Sequence, residues 1–173
     1  MYLFAHIFFG VLLGIGFWRL TDFKRVIPAC IVGSVLPDLV DKPLALVCAV
    51  LDCGRTVTHA LVFTIAIMLV ILIFARFPRK ESPDIILFGI CGLSGVILHQ
   101  ILDQMWIVPQ NWFFPLLGPF QRYHGTGSTM HWLLAIWMDA IGSPFEWIYL
   151  IMSVGLLWYI RGYNSHTTRI ITS

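Results

Sequence analysis

The chain has 173 residues and a net charge of +2, and its composition is strongly apolar, with 58% hydrophobic and 12% charged residues. Soluble domains contain about 45–50% apolar and about 25% charged residues, so the composition predicts an integral membrane protein. The small net charge, without a basic cluster, excludes nucleic acid as a partner. The length suits one domain, covering residues 1–173.

Five apolar stretches in chain order predict an all-α, polytopic membrane protein with about five transmembrane helices. A span needs roughly 20 mostly apolar residues. The second stretch, at residues 26–40, is shorter than this and ends at Pro37 and Asp38. The four stretches that reach the required length cover residues 2–20, 57–76, 84–107 and 133–160.

Two further apolar segments are too short to cross a membrane, and we expect them to lie at the interface or to re-enter. They are PLALVCAVL at residues 43–51 and NWFFPLLGPF at residues 111–120. The second is rich in aromatic residues, which suit the boundary between membrane and water.

Lys and Arg residues in the short loops predict the orientation. With five spans, eight basic residues fall on one side of the membrane and three on the other. The richer side holds the loop at 19–25, the loop at 76–83 and the tail from Arg161, and it should be cytoplasmic. The protein is therefore predicted in the inner or plasma membrane, with the N-terminus outside and the C-terminus inside.

Ionisable residues inside or beside the apolar stretches fall on the opposite, extracytoplasmic side. Such groups are costly in a membrane, and their convergence indicates a functional site. They are His6 at the start of the first span, Asp38 and Asp41 after the second, Arg55 and His59 at the third, and His99 and Asp103 at the end of the fourth.

Helical spacing groups these residues further. His99 and Asp103 are four residues apart and project from one face, with a glycine one turn before them. His6, Gly10 and Gly14 form a similar face on the first span. Because small residues let membrane helices approach closely, we expect the first and fourth spans to pack through their glycines and to bring His6 near His99 and Asp103.

Imidazole and carboxylate groups together suit zinc or a similar divalent cation. A bound metal with one open position lowers the pKa of water from about 15.7 to about 7 and so creates a nucleophile. Arg55 and His59 are predicted to share one face of the third span. Arg55 keeps its charge at any physiological pH and would bind an anionic phosphate oxygen.

Five short motifs resemble the YdjM-type family of inner-membrane-associated metal-dependent hydrolases. They are HIFFG, LPD, RTVTHAL, HQILD and WFFPLLGPF, and together they cover about residues 6–120. The resemblance implies one or two divalent cations, zinc or alternatively manganese. The ligands that it implies are His6, Asp38, His59, His99 and Asp103.

The sequence departs from the family pattern at two motifs, and the second departure bears on the number of metals. Ala60 stands where a serine usually follows the histidine, and Val57 separates Thr56 from the second threonine. The usual PDxD run is changed, because Val40 takes the second acidic position and Asp41 follows it. One metal and two metals therefore remain alternatives.

The order of ligands is also similar to that of zinc-dependent phospholipases C, which indicates a phosphoester as the cleaved bond. We therefore predict a membrane-embedded hydrolase in which metal-bound hydroxide attacks a lipid or other amphiphilic phosphoester at the extracytoplasmic face. Arg55 would hold the substrate anion. Asp41 would either support a metal ligand or act as the base. The alternatives are a non-catalytic metal-binding or transport protein and a structural membrane protein.

The sequence leaves the roles of three residues open. His124 and His131 lie in the polar stretch YHGTGSTMHW and are equally well explained by solvation. Glu146 interrupts the fifth span after GSP, where it either lines the cavity or marks a break in the helix.

Overall fold

The structure, a computed structural model, describes residues 3–47, 54–76, 82–121 and 129–171. Within these ranges the chain is helical and contains no strand, which confirms the all-α prediction. The helices are α1 (Leu3–Thr21), α2 (Val26–Val47), α3 (Leu61–Arg76), α4 (Ser82–Leu102), a 3₁₀ turn (Met105–Ile107), α5 (Pro109–Trp112), α6 (Thr129–Gly142) and α7 (Pro144–Ile171).

Helix α2 lies at the centre of the bundle. It packs against α1 on one side and α4 on the other, while α7 packs on α1 and α3 packs on α4. Glycines permit the closest approach: a Cβ at Gly33 would collide with the backbone oxygen of Gly92, and a Cβ at Gly14 would lie 2.7 Å from the Ile27 Cα. A Cβ at Gly95 would likewise collide with the backbone oxygen of Cys30.

The prediction that α1 and α4 pack through their glycines was wrong about the partner. Gly10 and Gly14 face α2 at Ser34 and Ile27, and Gly95 also faces α2. The reason is that α2 carries small residues of its own and can therefore lie between the two helices. The arrangement still brings the start of α1 to the end of α4.

The second helix does not end at Pro37. It continues through Pro37 and Pro43 to Val47 and has 22 residues, so residues 43–47 extend α2 and do not form a separate interfacial piece. A proline removes one backbone donor but leaves a helix intact where neighbouring groups satisfy the backbone. The Thr58 hydroxyl donates to the Pro37 carbonyl at 3.0 Å, which ties the turn before α3 to this part of α2. Residues 48–51 of the predicted segment lie outside the described residues.

The predicted fifth span, residues 133–160, is two helices. α6 ends at Gly142 and α7 begins at Pro144. Proline is well suited to the first position of a helix, and the residue before it, Ser143, is disfavoured from helical geometry. The GSP sequence therefore ends one helix and starts the next.

The fourth helix ends at Leu102, earlier than predicted. Gln104 has φ 52° and ψ 46°, a left-handed conformation that stops the helix and turns the chain back. The segment 111–120 then continues through the end of the short helix α5 and a series of turns, which agrees with a segment that does not span.

Two of the described helices are long and apolar enough to cross a membrane, α1 and the part of α4 at Asp84–Leu102. α3 is apolar but shorter, with 16 residues. Large apolar side chains are exposed on the outer helices, for example Phe74 at 60% and Trp158 at 79%. Apolar exposure on this scale is typical of a surface that contacts lipid or a partner.

Candidate metal centre

Four buried side chains converge where α2, the turn before α3 and the end of α4 meet. Asp38, His59, His99 and Asp103 each offer one ligand atom, and these atoms all lie within 4.8 Å of one another. None of the four residues is more than 5% exposed.

The two histidines present their Nε2 atoms to this cluster. His59 Nδ1 lies 2.7 Å from Asp41 Oδ2, and His99 Nδ1 lies 2.7 Å from the backbone oxygen of Ser34. Both partners can only accept, so each Nδ1 carries a proton and donates it. In the neutral rings both Nε2 atoms then hold a lone pair, and they face each other at 3.0 Å. Two facing lone pairs repel unless a proton or a cation lies between them.

The distances around this pair fit a tetrahedral cation. Bonds of about 2.0–2.2 Å from zinc to nitrogen and oxygen correspond to ligand-to-ligand distances of about 3.3–3.6 Å. Asp103 Oδ2 lies 3.5 Å from His59 Nε2 and 3.7 Å from His99 Nε2. Asp38 Oδ1 lies 3.8 Å and 3.9 Å from the same two nitrogens. These distances, from 3.0 to 3.9 Å, lie within about 0.3 Å of the tetrahedral range. Small side-chain movements would therefore bring the four atoms around a zinc-like ion.

A buried carboxylate oxygen without a partner supports the same fit. Asp38 Oδ1 is buried and accepts no hydrogen bond from the part of the chain that the structure describes. Such an atom is costly to bury. The other oxygen of Asp38 accepts from Lys42 Nζ at 2.8 Å, one turn along α2, which aims Oδ1 at the histidines.

Asp41 lies behind His59 and is completely buried. Besides its contact with the imidazole, its carboxylate accepts the backbone N–H of Thr56 at 2.7 Å and of Thr58 at 3.2 Å. A carboxylate in this position fixes the tautomer and orientation of a metal-binding histidine. Of the two predicted roles, support of a ligand fits this geometry.

The Asp41 carboxylate also explains why the third helix starts later than predicted. The third span was predicted to start at residue 57, with Arg55 and His59 on one helix face, but α3 begins at Leu61 and residues 54–60 form turns. The Asp41 carboxylate accepts hydrogen bonds from two backbone N–H groups of this stretch. These bonds hold the chain in turns around the carboxylate. The prediction of a shared helix face was therefore wrong.

Two predicted residues contact Asp103 and stand outside the group of four. His6 Nε2 lies 3.2 Å from Asp103 Oδ1, and its ring stacks on His99 with 4.1 Å between centroids. Arg55 Nε lies 3.2 Å from Asp103 Oδ2. His6 thus faces the second oxygen of Asp103, a candidate ligand.

His59 and Asp103 lie beyond the helix ends, and their environments shift their pKa values in opposite directions. Burial opposes the charged imidazole, but contacts with Asp103 and Asp41 outweigh it and raise the pKa of His59 above its usual range. Burial also opposes the charged carboxylate, but contacts with His59 and His6 and the charge of Arg55 lower the pKa of Asp103. Asp103 thus favours positive charge beside it, either as a proton on His59 or as a metal ion in its place.

A family model described as YdjM inner membrane protein matches residues 1–166. The chain belongs to the YdjM inner membrane protein family. The resemblance inferred from the five motifs is thereby confirmed. Comparisons with curated proteins and with solved structures gave no significant match.

Sequence reasoning missed the role of three residues in this YdjM-family protein. Lys42 is recognisable in retrospect, because it follows Asp38 by four residues on one helix. Asn111 donates to the backbone oxygen of Arg55 at 2.9 Å and accepts the backbone N–H of Gln121 at 2.7 Å, so it fixes the Arg55 turn. Ser34 acts through its backbone oxygen, which no sequence signal marks.

Of the two possibilities for Glu146, the structure confirms the break in the helix, because α7 begins at Pro144 and holds Glu146 in its first turn. Its side chain is completely buried and accepts the backbone N–H of Phe4 at 2.8 Å and of Ala5 at 3.3 Å. These are N–H groups of the first turn of α1, which a helix cannot satisfy itself. Glu146 therefore caps α1 immediately before His6. Of the two open histidines, His131 is exposed on α6, and His124 lies outside the described residues.

A cavity of about 510 Å³ adjoins the centre on the His6 side. His6, Arg55 and Asp103 line it together with side chains of α1, α7 and the segment after α4. A molecule in this cavity would reach both Arg55 and a ligand of the metal centre.

Proposed function

We propose that this protein is a metal-dependent hydrolase that cleaves a lipid or other amphiphilic phosphoester at the extracytoplasmic face of the inner membrane. The observation that carries the proposal is the pair of Nε2 atoms 3.0 Å apart, with two carboxylates beside them and a cavity that reaches Asp103. A divalent cation bound there supplies a Lewis acid that activates water and polarises a phosphoester.

The chain's own groups prepare the site for that chemistry. Asp41 and the Ser34 carbonyl orient the two imidazoles, and Lys42 orients Asp38. Ligands held in this way lose little freedom when the cation binds. Arg55 lines the cavity beside Asp103, where its guanidinium would bind the oxygens of an anionic phosphate group.

The ligand arrangement favours one ion over two. The four ligand atoms form a single group. A second ion near His6 would have only His6 and Asp103 Oδ1 as protein ligands among the described residues. Zinc suits a set of two imidazoles and two carboxylates, and manganese is the alternative.

The proposed membrane placement has five spans and the N-terminus outside. It is supported by three basic residues at the end of α1 remote from His6: Arg19 lies in the last turn of α1, and Lys24 and Arg25 follow the helix. Positive charge on the cytoplasmic side then leaves the metal centre on the other side.

Hydrolysis is favoured over ion transport by the packing at the other end of the bundle. An apolar cluster fills that end and includes Trp18, Val26, Cys30, Cys91 and Ile160. Ion transport needs a polar path across the membrane, and this cluster lies across the bundle where such a path would run.

The test is the metal content of the full chain purified in detergent without added metal, measured by mass spectrometry. We expect about one zinc or manganese ion per chain, and its loss in His99→Ala and Asp103→Ala while both remain folded. His131→Ala removes an exposed histidine outside the site and should retain the ion. Wild-type protein without metal, and equally stable in all variants, would overturn the proposal. With metal established, cleavage of phosphoester lipids tests the reaction.

A further inference from the structure

The cavity beside the metal centre has a polar end and apolar walls. The polar end is formed by His6, Arg55 and Asp103, whereas Ile107 and Phe145 belong to the apolar lining. Its volume of about 510 Å³ lies within the range of sites that enclose small molecules, about 300–1,000 Å³. Among the lining residues that the structure describes, the acidic and basic side chains thus lie at one end of the cavity.

The apolar end of the cavity reaches the outer surface of the bundle. Ile107 and Phe145 line the cavity and are each 65% exposed. The exposed apolar surface continues on both sides, at Trp106 after α4 and at Ile148 on α7. In an inner membrane protein, such a surface suits contact with lipid chains. The mouth of the cavity is thus apolar where a water-soluble substrate would need polar groups.

The wall of this mouth is held in place by the turn after Asp103. Gln104 adopts the left-handed conformation, which turns the chain back over the end of α4. Met105 follows and is completely buried, so it anchors the 3₁₀ turn that carries Ile107. The position of Ile107 beside the cavity is therefore fixed by buried packing.

We infer that the cavity receives the alkyl or acyl chain of an anionic phosphoester lipid, which passes between Ile107 and Phe145 into the membrane. The phosphate then lies at the polar end beside Arg55 and the metal centre. This inference rests on the proposed hydrolase function and adds the part of the substrate that gives selectivity. Long-chain phosphoesters are preferred over short, water-soluble ones, and the substrate enters from the side of the bilayer.

The experiment compares two ligands that cannot be hydrolysed, n-butylphosphonate and n-dodecylphosphonate. The metal-loaded full chain is held in a maltoside detergent, and dissociation constants are measured by phosphorus NMR titration. The proteins are the wild type, Ile107→Asn, Phe145→Asn and the control Ile151→Asn. Ile151 is 69% exposed on the same helix as Phe145 and lies away from the cavity lining.

Dodecylphosphonate should bind the wild type about tenfold more tightly than butylphosphonate, because burial of about two more methylene groups is worth that factor. Ile107→Asn and Phe145→Asn should each reduce the ratio to about twofold, a several-fold loss of the apolar contact. Butylphosphonate affinity and metal content should not change, which separates loss of the chain site from unfolding. The control should behave like the wild type.

Two other outcomes have different meanings. If the ratio is the same in all four proteins, the chain partitions into the micelle, and the inference is overturned while the phosphate site stands. If neither phosphonate binds the metal-loaded wild type, the proposed hydrolase function fails, and the chain site fails with it.

Discussion

His59 Nε2 and His99 Nε2 face each other at 3.0 Å, although each ring already donates its Nδ1 proton to another acceptor. The two rings come from different elements, the turn before α3 and the end of α4. Without a cation, this contact is relieved only by a proton shared with the neighbouring carboxylates. The fold therefore places two imidazole nitrogens close together, and a bound cation would replace their repulsion with attraction to both.

Metal removal should accordingly destabilise the protein. A ligand that binds only the folded state adds about 2.7 kcal/mol to the free energy of unfolding when its free concentration is 100 times its Kd. Treatment with a chelator should lower the Tm of the wild type, measured by tryptophan fluorescence in detergent, and zinc should restore it. His99→Ala should have a Tm that the chelator does not change. An equal response of both proteins to the chelator would place the metal elsewhere.

Asp41→Asn should weaken metal binding without abolishing it. The asparagine keeps one oxygen, which can still accept from Thr56 N–H and His59 Nδ1. Its amide nitrogen then faces the N–H of Thr58, and the charge that makes His59 a strong ligand is lost. Loss of a carboxylate behind a metal-binding histidine costs about 10–100-fold in affinity. Competition with a metal-binding dye measures the change. Lys42→Gln, which also alters a residue beside a ligand but leaves the His59 contact intact, should have the smaller effect. An unchanged affinity in Asp41→Asn would show that Asp41 only shapes the turn.

Several features of the site were within reach of the sequence. His99 and Asp103 are four residues apart in an apolar stretch, and the alternation of spans placed the other ionisable residues at the same end. The features that were missed depend on contacts between distant residues. The start of α3 is set by Asp41, which binds backbone groups 15 and 17 residues away. Glu146 accepts a hydrogen bond from Phe4 of α1, which lies 142 positions earlier in the chain. No local pattern indicates such a pairing.

The sequence also predicted the helix ends at prolines only in part. Pro37 predicts a helix end by its missing donor, yet α2 continues through Pro37 and Pro43 to Val47. By contrast, the GSP sequence at residues 142–144 does end a helix. A proline thus marks a possible helix end, but it does not by itself decide whether the helix stops there.

Gly95→Ala should destabilise the bundle and disturb the metal centre together. Its Cβ would lie 2.8 Å from the Ser34 backbone nitrogen and would also collide with the Cys30 carbonyl, and both are backbone atoms that cannot move away separately. Overpacking of this kind costs about 1–3 kcal/mol. Because Gly95 lies one turn before His99, metal content should fall as well as Tm.

Gly16→Ala is the matched control for that substitution. A Cβ at Gly16 meets nothing within 4 Å in the described structure, and alanine in a helix is favoured over glycine by about 0.5–1 kcal/mol. Its Tm should be equal or slightly higher. If Gly95→Ala and Gly16→Ala behaved alike, the close packing of α4 on α2 would be incorrect.

Glu146→Ala should destabilise the protein through α1. The substitution leaves the N–H groups of Phe4 and Ala5 without their acceptor, and the loss of hydrogen bonds to a charged group costs about 1.5–3 kcal/mol. The negative charge also complements the N-terminal end of the α1 dipole. Glu146→Gln keeps one acceptor oxygen and should lose about half as much.

Asp139→Ala provides the comparison for Glu146, since it removes an exposed carboxylate from α6 and should leave Tm unchanged. Metal affinity gives a second, independent measurement. His6 lies directly after the capped turn and contacts both Asp103 and His99, so a loosened α1 should weaken metal binding several-fold in Glu146→Ala. A lower Tm with unchanged metal affinity would mean that His6 does not help to hold the ligands, and that the cap serves folding alone.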